Sequence, residues 1–116
     1  MIQLQHVSYN YQRQEVLKDI SLSFPIGQII GIAGENGSGK STLLKIIAGI
    51  QRPRKGTISL YNESLSRRHA ADIAYLPDMD LFYSFYTTKE LFTFYASQFS
   101  DFSIHKALDV ANFLEV

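Results

Sequence analysis

Gly34-Glu35-Asn36-Gly37-Ser38-Gly39-Lys40-Ser41, followed by Thr42, fits the pattern G-x-x-x-x-G-K-[ST] at every fixed position. At ordinary residue usage such a match arises in well under roughly 1 in 100 chains of this length. Its flanks narrow the reading further. Ile29-Ile30-Gly31-Ile32-Ala33 is a short, unbroken apolar run of the kind a buried parallel strand carries. From Ser41 onward Leu43, Leu44, Ile47 and Ala48 recur at helical spacing until Gly49 and Pro53 stop them. A glycine loop set between a strand and a helix points to an α/β fold.

The chemistry follows from the residue types. Glycine at 34, 37 and 39 lets the backbone curl with its N–H groups inward, because no Cβ blocks positive φ or the approach of a phosphate; Asn36 and Ser38 supply the backbone between them. The nest opens onto a helix N-terminus, where unpaired N–H groups and the dipole favour an anion. Lys40 is expected to reach the β and γ phosphates, Ser41 to place its hydroxyl on Mg²⁺, and Thr42 to donate near the α phosphate. The competing reading is a glycine-rich turn before a core helix, but such a turn has no use for Lys-Ser after three glycines.

Working outward, Ile2 to Tyr9 (Ile2, Leu4, His6) and Val16 to Phe24 (Leu17, Ile20, Leu22, Phe24) alternate partially with period 2, which predicts an antiparallel hairpin joined by the polar segment Asn10 to Glu15. Gly56 to Tyr61 reads as a strand turning at Asn62-Glu63, and Ile73 to Leu76 as a short strand ending at Pro77. Thr87-Thr88-Lys89-Glu90 has capping-box spacing and opens a helix to about Phe99; Ile104, Ala107, Leu108, Ala111 and Leu114 mark another. Phe113 to Val116 shows no C-cap signal, so the sequence is expected to stop inside a helix, as a fragment would.

Eleven Lys plus Arg balance eleven Asp plus Glu over 116 residues, so no broad electrostatic surface for nucleic acid is expected and phosphate recognition must be local. The absence of Cys excludes disulfides and fits a cytosolic chain. The start, Met1 to His6, lacks the features of a signal peptide, and no apolar stretch is long enough to span a bilayer, so direct membrane insertion is not expected.

Beyond the glycine loop, Tyr11 to Leu22, Gly49, Pro53, Gly56 and Ile73 to Pro77 fall in the order and spacing of an ABC-transporter ATPase from its first strand to its Q-loop. The sequence therefore resembles the N-terminal half of such a subunit, over essentially its whole length. The resemblance implies a P-loop NTPase with antiparallel strands at the N-terminus and the start of a helical subdomain: a nucleotide-binding core over 1–80 and the beginning of that subdomain over 81–116. It implies ATP and Mg²⁺ as ligands, with Tyr11 stacking on the adenine; Tyr9 competes for that role, and otherwise reads as an amphipathic residue at a strand end. After Leu76-Pro77 the family carries Gln, where this sequence has Asp78; aspartate is a good hard-cation ligand, and equally serves as a loop cap.

The resemblance also implies a transmembrane permease partner, a head-to-tail ATPase dimer, and a cytoplasmic position peripheral to the inner face of the membrane. Nine aromatics lie between Phe82 and Phe102. Of these, Phe82, Tyr83 and Phe85 are the expected permease-docking residues, while most of the others read as the core of the helical subdomain. No segment matches the family's Leu-Ser-Gly-Gly-Gln signature, its Walker B Asp-Glu or its switch histidine, since His6, His69 and His105 stand elsewhere. The expectation is nucleotide binding without rapid hydrolysis by these residues alone; the alternative is a module that binds ATP and never hydrolyses it.

Overall fold

The computed structural model describes residues 1–77 and 85–116, which divide into two units, Met1–Leu76 and Pro77–Val116. In the first unit β1 (Ile2–Tyr11) and β2 (Gln14–Phe24) form an antiparallel hairpin, with Ile2 opposite Phe24 and Tyr11 opposite Gln14. Only Gln12 and Arg13 remain for the turn, and Gln12 takes the left-handed φ of 52° that a tight hairpin loop requires. β3 (Lys55–Leu60) pairs antiparallel with the other edge of β1. β4 (Glu63–Ser64) returns beside it through Tyr61 and Asn62, both at positive φ, giving the order β2-β1-β3-β4. That turn falls one residue before the expected Asn62-Glu63, since Glu63 already pairs in β4; β4 and the 3₁₀ helix Arg67–Asp72 that follows were not anticipated.

α1 (Lys40–Ile47) lays Leu43 and Ile46 on the sheet, where they join Leu4, Val7, Leu17 and Ile58 in one buried cluster. The alternation read from the sequence slips inside β1. His6 and Asp19 face each other at φ 51° and 47°, a double bulge braced by a 2.7 Å contact between His6 Nδ1 and Asp19 Oδ1. Their N–H groups donate to Ser21 Oγ and Ser8 Oγ, each at 3.0 Å. The extra residue moves Val7 into the core in place of His6, which stays exposed.

Two expected strands are absent among the described residues. Ile29 to Ala33 runs without a ladder partner, and Ile29 is fully exposed; Ile73 to Leu76 is likewise unpaired. A parallel strand forms only beside a neighbour brought round by a crossover, and no described strand pairs with either segment. The Ile29 run still alternates: Gln28, Ile30 and Ile32 line a cavity of ≈ 490 Å³ with Leu44, Ile47 and Leu60, while Ile29 faces outward.

The second unit contains α2 (Thr88–Gln98) and α3 (Ile104–Phe113). The predicted capping box is formed: Thr87 Oγ1 accepts the Glu90 N–H at 3.2 Å, and Glu90 Oε2 accepts the Thr87 N–H at 2.6 Å. The Thr87 backbone N–H on the carboxylate, and after it the Thr87 side chain, hold the Glu90 pKa below its ordinary value. Tyr95 stacks on both Phe99 and Phe102, and Phe92, Tyr95 and Phe102 are half-buried, while no residue of either helix is fully buried. α3 also ends otherwise than expected. Glu115 turns to φ 59°, and Val116 N–H donates to the Ala111 carbonyl and Glu115 N–H to that of Asn112, a Schellman closure. Sequence patterns miss it because the left-handed position holds Glu instead of Gly or Asn.

Candidate phosphate-binding site

The glycine loop runs from Gly34 into α1 with two of its glycines at positive φ, Gly37 at 83° and Gly39 at 96°. Gly39 is the N-cap and offers no side-chain acceptor to the helix. The backbone N–H groups of Gly37, Gly39, Lys40, Ser41 and Thr42 take no acceptor among the described residues. N–H groups left open at a helix start are the kind of donor that takes up an anion. A Cβ at Gly34 would stand 2.8 Å from Ser38 Oγ, a hydroxyl that can rotate away, and 3.7 Å from Lys40 Cδ, so the loop curls back on itself.

Lys40 folds across this curl. Its ammonium donates to the carbonyls of Gly34 and Glu35, the latter at 2.7 Å, and lies 3.4 Å from Ser38 Oγ. These neutral acceptors fix the ammonium without cancelling its charge, which leaves it able to attract an anion. Ser41 is exposed on the first turn, whereas Thr42 is 7% exposed and packed inward on the face shared with Leu43 and Ile46. Of the two hydroxyls, Ser41 is therefore the accessible one. Among the described residues no three His, Asp or Glu side chains converge on a metal-sized site. Mg²⁺ commonly binds through one or two protein ligands and the substrate phosphates, and Ser41 fits that mode.

One wall of the site was not anticipated. A Cβ at Gly39 would meet Leu17 Cδ2 at 3.0 Å and the Val16 carbonyl oxygen at 3.1 Å, so the loop is pressed against β2. Leu17 lies opposite Tyr9 in the hairpin and Tyr11 opposite Gln14, which brings both tyrosines to the strand pair that backs the loop. Tyr11 is 47% exposed; Tyr9 is half-buried, meets the Tyr11 ring edge-on at 5.1 Å, and accepts a hydrogen bond on its hydroxyl from Gln51 Nε2. Asp78, Phe82 and Tyr83 lie outside the described residues. Phe85 is 73% exposed and packs on Tyr86 with ring centroids 5.1 Å apart.

The family model for ABC transporters matches residues 17–115. The chain belongs to the ABC transporter family. Its similarity to the ATP-binding subunits of these transporters is found in sequence and in structure. Over 71 residues it is 42% identical to the sulfate/thiosulfate import ATP-binding protein CysA of Escherichia coli (strain K12), which covers 61% of the chain and 20% of that protein. A solved ATP-binding subunit of an ABC transporter superposes with a TM-score of 0.70 at 30% identity, over 84% of the chain and 42% of the solved one. The dimeric ATP-binding cassette MJ0796, in a post-hydrolysis state bound to ADP and Pi, matches with a TM-score of 0.52 at 29% identity, over 61% and 34% of the two chains. The chain thus spans less than half of the length of each of these relatives. The expected P-loop α/β class holds, and among the described residues no helix is long and apolar enough to cross a membrane.

Proposed function

We propose that the chain binds Mg-ATP as part of the ATPase subunit of an ABC transporter, with Gly34, Asn36, Gly37, Ser38 and Gly39 cradling the phosphates. The observation that carries this reading is the cluster of unpaired N–H groups entering α1 with the Lys40 ammonium held inside the same loop. Lys40 exchanges its carbonyl partners for the β and γ phosphates, a charged partner in place of neutral ones. Ser41 would hold the metal, which would neutralise phosphate charge when bound, and Thr42, whose N–H is open among the described residues, would donate near the α phosphate. Tyr11 offers its exposed ring to the adenine. Asp78 is proposed as a second contact to the metal.

In the whole protein, ATP binding and hydrolysis drive transport of a solute. Phe85, with Phe82 and Tyr83, is proposed to meet a transmembrane permease subunit, and the ATPase to pair head-to-tail with a second copy. That places the protein in the cytoplasm against the inner face of the membrane. Titration calorimetry of Lys40→Ala with Mg-ATP tests the site. Loss of measurable binding with an unchanged circular dichroism spectrum is expected, and unchanged affinity removes Lys40 from the site and this reading with it.

A further inference from the structure

Tyr9 stands between three parts of the first unit. Its hydroxyl accepts from Gln51 Nε2, a residue whose own N–H is held by the Lys45 carbonyl in the last turn of α1. Its backbone lies opposite Leu17, the side chain nearest to where a Cβ would sit on Gly39. Its ring meets that of Tyr11 at 5.1 Å with an interplanar angle of 79°, the edge-to-face geometry in which the positive rim of one ring faces the negative face of the other. The segment after α1 is also strapped to β1, with Arg54 N–H donating to the Ser8 carbonyl at 2.8 Å.

We infer that Tyr9 is a positioning residue for the base of the nucleotide: anchored by Gln51, it fixes the ring of Tyr11 relative to the phosphate loop. An exposed tyrosine near a hairpin turn would otherwise sample several rotamers, and each must be given up when a base stacks on it. Contact with a tethered neighbour removes that freedom beforehand. The coupling runs from α1 through Gln51 and Tyr9 to Tyr11, so the helix that begins at Lys40 also sets the platform. The inference rests on the reading that Tyr11 carries the adenine.

The test separates base from phosphate by comparing Mg-ATP with Mg-tripolyphosphate in calorimetry on the 116-residue chain. Tyr9→Leu is expected to weaken ATP roughly three- to tenfold and to leave tripolyphosphate within about twofold. Tyr9→Phe keeps the ring contact and loses only the bond to Gln51; it should fall between wild type and Tyr9→Leu, and match Gln51→Leu. A merely structural role would weaken both probes together, and that result, or no change in either, overturns the inference provided that Tyr11→Ala weakens ATP alone. If Tyr11→Ala spares ATP, the adenine reading itself fails and the role of Tyr9 falls with it.

Discussion

Replacing Gly39 by Ala perturbs the site at its most constrained point. At φ 96° an L-residue carries a backbone penalty of roughly 1–2 kcal/mol, since Cβ crowds the carbonyl oxygen that follows. The new methyl would also lie 3.0 Å from Leu17 Cδ2, 3.1 Å from the Val16 carbonyl oxygen and 3.2 Å from Val16 Cγ1. Leu17 can adjust its side chain; the Val16 carbonyl is backbone, set between the paired residues Glu15 and Leu17, and has less freedom to move. Overpacking of this kind costs about 1–3 kcal/mol, so the total is about 2–5 kcal/mol. Gly37 supplies the control: it has a similar φ of 83° and nothing within 4 Å of its Cβ position, which leaves only the backbone penalty.

Urea unfolding of both variants, followed by far-UV circular dichroism and analysed with a common m-value, reads the difference. Gly39→Ala should be less stable than Gly37→Ala by about 1–3 kcal/mol, the contact term alone. Gly39→Asn sharpens the comparison, because Asn tolerates the left-handed region while presenting the same Cβ. It should recover part of the backbone cost and none of the contact cost. Equal stabilities for Gly39→Ala and Gly37→Ala would refute the claim that the loop is pressed against β2.

Ser41→Ala should reduce the extent to which Mg²⁺ strengthens ATP binding, and leave affinity in EDTA within about twofold; an unchanged Mg²⁺ dependence by calorimetry would remove Ser41 from the metal. Ile46→Ala opens a cavity in the buried cluster and should cost about 2–5 kcal/mol in urea unfolding, with a loss below 1 kcal/mol arguing that α1 does not seal the sheet. Thr87→Ala should lower stability by about 1 kcal/mol through the lost N-cap of α2. The Glu90 pKa is depressed in the folded chain, so its contribution is present above the unfolded value and lost as pH falls through the folded one. Wild-type α2 should therefore lose helicity on acidification more steeply than Glu90→Gln, and identical pH profiles by circular dichroism would contradict the capping box.

What could be read from the sequence was what is encoded locally. The glycine loop, the stop at Gly49 and the capping box at Thr87 and Glu90 each draw on residues within a few positions of one another, and each appears where expected. The double bulge was hidden because it takes two residues, His6 and Asp19, from different strands to reveal it, and neither is glycine. The bond that anchors Tyr9 joins residues 42 positions apart, with no signal in either segment alone. Tyr9 therefore read as a strand-end residue, and only the fold brings Gln51 to it.

The two missing strands teach something different, because their pattern was read correctly and their pairing was not. Apolarity on both faces of Ile29 to Ala33 states a requirement for cover on both sides, and on one face Leu44 and Ile47 of α1 stand across the cavity from Ile30 and Ile32, which stay partly exposed. The other face, with Ile29 fully exposed, has no neighbour among the described residues. Burying such a side chain is worth about 1.5–3 kcal/mol, so that face favours whatever apolar surface can cover it. The glycine loop depends less on that completion: its curvature comes from its own glycines, and its seat from Val16, Leu17 and the buried residues of α1. Phosphate binding should accordingly tolerate an unpaired Ile29 segment. A substitution of Ile29 by Thr, which keeps strand propensity and removes exposed apolar surface, should leave Mg-ATP affinity within about twofold by calorimetry; a larger loss of affinity would show that the loop draws its shape from the segment before it.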